Sequence, residues 1–341
     1  MATARSSKAG STSIDGSSGK QLSFHGRALS RIGFGCWQLA GDYEFEGHAK
    51  GYGTINRAEA VRAIHHALDN GINFFDTAVA YGFGASESLL GAALKSYQAT
   101  AGAEPVVCTK FGIDLSDPRH VDFSAINFVK SVEGSLKRLQ RNELDIVLLH
   151  NPPDDFDFSV IDVASFERMI EAGKIRAYGV SCRTFRGVAN VLQHQFGSVI
   201  EAVYNPLDRR FERHFSDSRY KDAYLFICRV PLASGFLVPR TLLAERTFPP
   251  NDIRNYFASE KVEWLTSAVR KLSFLDHLEG GMVVSALRFQ LSNRHNSVAI
   301  PGMKNTKQVN DAILALRLGP LSADVIARIN DAVPEVFYQW R

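Results

Sequence analysis

From Arg31 onward the chain alternates short apolar runs with longer stretches in which apolar residues recur every three or four positions. The short runs are Ile32 to Trp37, Phe74 to Asp76, Val106 to Lys110, Ile146 to His150, Ala177 to Ser181, Ala202 to Tyr204, Tyr224 to Val230 and Ser297 to Pro301. Their continuous apolar character fits strands buried on both faces. The periodic stretches predict helices. One carries Val61, Ile64 and Leu68, one runs from Ser88 to Tyr97, and one aligns Phe128, Val132, Leu136 and Leu139. Ile161 to Ala172, stopped by Gly173, and a helix with Phe185, Val188 and Leu192 come next. A shorter helix is expected after Tyr204, and two, around Val262 to Leu272 and Met282 to Leu291, after Val230. Thr306 to Leu316 follows the last run.

Eight strand–helix units are the arithmetic of a closed parallel barrel rather than an open sheet. The expected fold is therefore α/β, a (β/α)₈ TIM barrel forming a single domain over residues 21–341, with an extra C-terminal helix near Ala323 to Ala332 packed outside the ring. Residues 1–20 are rich in Ser, Gly and Ala and nearly devoid of large apolar side chains, which predicts a disordered tail. Their basic, acid-poor character also suits a transit peptide, although they lack amphipathicity.

The 341 residues are 45% hydrophobic, ample for one core, and carry a formal net charge of only +3 without a basic block. A nucleic-acid partner is therefore not expected. Cys36, Cys108, Cys182 and Cys228 lie far apart, with no Cys-x-x-Cys pair, which argues against a zinc site and a disulfide scaffold and for a reducing compartment. With no apolar run of about 20 residues and no secretory signal, no membrane association is expected and a cytoplasmic location is. The sequence gives no sign of oligomeric state.

The C-terminal strand ends of such a barrel converge on one face. Asp76, Lys110 and His150 each fall at such an end, and Tyr81 follows in the adjoining loop. A carboxylate there needs a cationic partner, which Lys110 can be. An ammonium near Tyr81 would favour its phenolate and ease proton donation, while His150 could hydrogen-bond a carbonyl oxygen. Gly82-Phe-Gly84 invites a dinucleotide-loop reading, but Glu87 stands where its third glycine belongs; these glycines are read as serving the turn that presents Tyr81. Lys110 could alternatively form a Schiff base in an aldolase-type barrel.

The segments Gly71-Ile-Asn-Phe-Phe-Asp76-Thr-Ala-x-x-Tyr81-Gly82, Thr109-Lys110 and Leu148-Leu-His150 resemble the aldo-keto reductase family, from about Ser30 to the final helix. The resemblance implies that Asp76, Tyr81, Lys110 and His150 form the catalytic tetrad of a nicotinamide-dependent reductase acting on a small-molecule carbonyl substrate. It also implies cofactor contacts by Cys36, Trp37, Asp76, Ser181, Cys182 and Glu201. The loop after the seventh strand would add Arg229, Pro231, Leu232, Ser234 and Arg240, and the adenosine-phosphate site Gly302, Met303, Lys304, Gln308 and Asp311. Some members of the family serve channels, so a non-catalytic, nicotinamide-binding regulatory subunit is the alternative.

Several positions depart from the family's pattern. Cys182 stands for an Asn, Glu201 for a Gln, Ala312 for an Asn, and Arg229 for an aromatic that stacks on the nicotinamide. Lys304 and Lys307 at a helix start, where the macrodipole disfavours cations, suggest a bound phosphate and hence NADP(H). Trp37, Phe83, Phe111 and the loop from Tyr43 to Tyr52 are candidates for the substrate pocket.

Overall fold

A strand turns successive side chains to opposite faces, and in this chain both faces are apolar. The computed structural model describes residues 13–14, 21–98, 104–115, 117–212, 220, 223–239, 248, 250–293 and 297–334. Its main sheet holds eight parallel strands in sequential order: β1 (Phe34–Gly35), β2 (Phe74–Asp76), β3 (Val106–Phe111), β4 (Leu144–His150), β5 (Ile175–Ser181), β6 (Val199–Val203), β7 (Leu225–Arg229) and β8 (Ser297–Ala299). The ring closes through isolated parallel bridges from Ile32 to Ala299 and from Gly35 to Gly302. There Gly33 N donates to the Ala299 carbonyl at 2.7 Å and Gly35 N to that of Pro301 at 2.8 Å. Arg31, buried beneath this seam, donates to the carbonyls of Leu291, Asn293 and Ser297.

Helices cover the outside: α1 (Arg57–Asp69), α2 (Ala85–Ser96), α3 (Ala125–Leu139), α4 (Val163–Glu171), α5 (Phe185–His194), α6 (Ser259–Lys271), α7 (Gly281–Ser292), α8 (Thr306–Leu318) and α9 (Ala323–Ala332). Phe75, Val107, Val147 and Leu149 face them in the outer core. Their neighbours Phe74, Val106, Ile146 and Leu148 fill the barrel. A hairpin of Gln21–Phe24 and Arg27–Ser30 adds Leu22, Phe24 and Leu29 to this inner cluster, plugging the end where the strands begin. Asn73 pins the plug, accepting from Ser30 N and donating to the Ala28 carbonyl.

The expected tail lies outside the described residues, apart from Ser13 and Ile14, which pair antiparallel with Ser23 and Leu22. Ile32 to Trp37 shortens to Phe34–Gly35, because Trp37–Ala40 coils into a 3₁₀ turn. The second helix begins three residues before Ser88, at Ala85 after the left-handed Gly84. Gly173, at φ 66°, does stop the fourth. The helix expected after Tyr204 falls mostly outside the described residues. Among those described, no helix is long and apolar enough to cross a membrane.

Candidate functional site

Strand parity carries the first three candidate residues inward. Phe74 faces the barrel interior, so Asp76 does; Cys108 and Leu148 face it, so Lys110 and His150 do. The side chains of Asp76 and Lys110 are 2% and 0% exposed. Tyr81 arrives by a different device. Gly82, Phe83 and Gly84 take φ values of 62°, 52° and 93°, a left-handed run that folds the loop back and starts α2.

The Lys110 ammonium is held by Asp76 Oδ1 and Oδ2 at 2.6 and 2.7 Å and by the Thr77 carbonyl at 3.0 Å. The Tyr81 hydroxyl lies 3.5 Å from it. Glu201 Oε2 approaches from the other side at 3.2 Å, while its Oε1 accepts from Ser181 Oγ at 3.0 Å. The His150 ring stands edge-on to Tyr81, 86° between planes. Asp76, Cys108 and Glu201 converge closely enough to suit a metal ion, but the ammonium already supplies the cation.

Burial and charge fix the protonation states. Burial, with the Glu201 carboxylate adding to it, pushes Asp76 up to about 7 against the pull of Lys110. For Lys110 burial alone would favour the neutral amine, but Asp76 and Glu201 outweigh it and hold the ammonium. Burial, then Lys110, Arg229 and Arg183, keep His150 neutral. The expected lowering of Tyr81 is reversed: burial, helped by Asp76 and Glu201, outweighs Lys110 and holds it as the phenol.

From this cluster a cleft of about 670 Å³ runs across the seam to the start of α8. Cys36, Trp37, Asp76, Tyr81, Glu201, Arg229, Pro231, Leu232, Ser234, Gly302, Met303, Lys304, Gln308 and Asp311 line it. Ser181 and Cys182 sit behind the wall; the Cys182 carbonyl accepts from Arg229 at 3.2 Å. Arg240 lies outside the described residues. Phe111 is misplaced in the expectation: one step beyond inward-facing Lys110, it turns outward to pack on Phe128 and Phe166. Phe83 packs against Tyr43 and Phe45 at the rim.

The cleft also holds Tyr52, at the end of the expected loop from Tyr43 to Tyr52, and Gln38, Arg254, Met282 and Leu287, which sequence reasoning missed. Gln38 had a signal, following Trp37 directly. Arg254 had none, because it comes from a second, distant loop that an antiparallel bridge from Tyr52 to Asp252 joins to the first. The lysines at the α8 start need no bound phosphate to offset the macrodipole. The Glu59 carboxylate accepts from Thr306 N at 2.9 Å and so supplies an anion at the α8 start. Lys304 Nζ donates to the Tyr52 carbonyl.

The aldo/keto reductase family model matches residues 31–334. The chain belongs to this family. It is 30% identical over 299 residues to the aldo-keto reductase YhdN of Bacillus subtilis, covering 83% of this chain and 84% of that one. It is 27% identical to the aldo-keto reductase yakc [NADP(+)] of Schizosaccharomyces pombe, covering 88% and 87%. The glycerol dehydrogenase AKR11B4 of Gluconobacter oxydans shares the fold, with a TM-score of 0.72 at 24% identity over 95% of each chain. The aldo/keto reductases are oxidoreductases that use nicotinamide cofactors, and the cleft suits such a group. Gln38 Oε1 and Arg229 Nε are buried polar atoms without a partner at its wall. Gly302 lies at the same wall, where a Cβ would overlap the Gln38 carboxamide.

Proposed function

We propose that the protein is an NADPH-dependent reductase of small aldehydes, ketones or keto sugars, running in reverse as an alcohol dehydrogenase. The observation that carries this reading is the Lys110 ammonium, clamped by Asp76 and 3.5 Å from the Tyr81 hydroxyl at the inner end of a dinucleotide-sized cleft.

The bound nicotinamide supplies the hydride. The chain's own residues do the rest. Tyr81, kept as a phenol by its surroundings, donates its proton to the carbonyl oxygen. Neutral His150 offers a hydrogen bond to the same oxygen, and Lys110 stabilises the phenolate left behind. Such positioned proton transfer contributes ~10²–10⁴-fold to rate. Glu201, which lines the cleft and is held from behind by Ser181, would meet the carboxamide, Arg229 the ring, and Gly302 to Gln308 the adenosine end. Lys304 and Lys307 support the phosphorylated cofactor.

An aldolase-type Schiff base needs a free amine, and the paired carboxylates oppose one at Lys110. The test is loss of NADPH absorbance with a panel of aldehydes, ketones and keto sugars. Turnover that vanishes in Tyr81→Phe supports the reading; a silent wild-type enzyme across the panel overturns it.

A further inference from the structure

Glu201 is the feature that the tetrad leaves unexplained. It sits 1% exposed in β6 and makes a second ion pair to a lysine already neutralised by Asp76. An uncharged glutamine could accept from Ser181 just as well. With both carboxylates ionised, Asp76, Lys110 and Glu201 would leave a net negative charge inside the barrel, where water cannot solvate it.

We propose that Asp76 and Glu201 hold one proton between them around Lys110, and that this proton resupplies Tyr81 after Tyr81 has protonated the substrate. This rests on the reductase reading and adds a fifth group to its proton chemistry. The Tyr81 O–H bond breaks as the proton goes to the substrate oxygen. A Lys110 N–H proton then moves to the phenolate, and the carboxylic acid proton moves to the lysine nitrogen. Tyr81 is again a phenol, Lys110 again an ammonium, and the carboxylate pair has lost one proton, which water restores after product leaves. No electrons move in these steps.

The groups facing Glu201 from each neighbouring element allow this. Asp76 lies on β2, Cys108 and Lys110 on β3, Ser181 on β5 with Cys182 just after it, and Tyr81 in the loop. Both thiols are pushed up by burial and stay neutral. Arg229 on β7 acts on Tyr81, Cys182 and His150, and His150 on β4 is kept neutral first by burial. Two acids around one ammonium are thus the groups left to share a proton, in keeping with the raised Asp76.

Two measurements test this. Infrared difference spectra of the cofactor-free wild type against Glu201→Gln at pH 6 should show a protonated-carboxyl stretch that the variant lacks and that Tyr81→Phe retains. Loss of a carboxylate band alone would mean that both acids are ionised, and would overturn the shared proton. In the reductase assay, wild-type kcat should fall about tenfold per pH unit above the pair's titration, and Glu201→Gln should lose that limb. An unchanged pH profile would overturn the resupply. A wild type silent toward every carbonyl removes the resupply together with the reductase reading, while the infrared band still decides the shared proton.

Discussion

The Trp37 indole lies parallel to the Tyr81 ring, with 8° between planes and centroids 5.4 Å apart. Trp37 Nε1 is itself fixed, donating to Tyr43 Oη at 3.2 Å and to the Lys50 carbonyl at 3.1 Å. The stack limits Tyr81 to positions near Lys110. In Trp37→Ala the phenol gains freedom, and kcat should fall by roughly tenfold, about 1.4 kcal/mol. The Tyr81→Phe loss should be far larger. Steady-state kinetics of both variants check the order.

Arg229 places a cation beside the expected position of the nicotinamide. It should disfavour the positively charged oxidised ring by about 1–2 kcal/mol, or roughly five- to thirtyfold in affinity. Arg229→Tyr should therefore tighten NADP⁺ relative to NADPH. Titration of both forms into both proteins measures this; equal ratios would remove Arg229 from the account.

Lys304 and Lys307 share the far end of the cleft with Asp311. If they receive a ribose phosphate, Lys304→Ala and Lys307→Ala should each weaken NADPH by roughly tenfold, about 1.4 kcal/mol, and leave NADH nearly untouched. Equal losses for both cofactors would assign the lysines to the shared diphosphate instead.

Arg31 tests the other end of the barrel. Truncating it strands buried carbonyls of Leu291 and Ser297. Arg31→Ala should cost about 2–3 kcal/mol of stability, read by denaturant unfolding.

Stability should also depend on the acid pair. Asp76 is raised in the folded state to about 7, above its unfolded value, so the fold takes up a proton there. That contribution is complete below the unfolded pKa and is lost as pH rises from about 4 through 7. Relative to wild type, Glu201→Gln should therefore gain Tm as pH rises across this window. Parallel Tm curves would contradict the raised Asp76.

Much of this site was legible because parity is a local rule. Asp76, Lys110 and His150 each end a short apolar run, and each points inward with the residue two before it. The same rule, applied one step further, turns Phe111 away from the pocket. Tyr81 was legible through the glycines after it. The protonation of Tyr81 was not, because it depends first on burial and, after Lys110 and Asp76, on Glu201, more than a hundred positions along the chain, and both come only with the closing of the ring. Arg254 was hidden for a like reason: loop meets loop, with no periodicity to announce it.

The seam that closes the ring lies beneath the cleft. Among the described residues β1 and β8 meet through the isolated bridges at Ile32 and Gly35, and the cleft's two lips, Gly35 to Gln38 and Ile300 to Lys304, belong to opposite sides of that joint. A dinucleotide seated across them would act as a rivet. Its grip would be felt first as slowed amide exchange at Gly33, Gly35 and Ala299, so that loading the enzyme and fastening the barrel become one event.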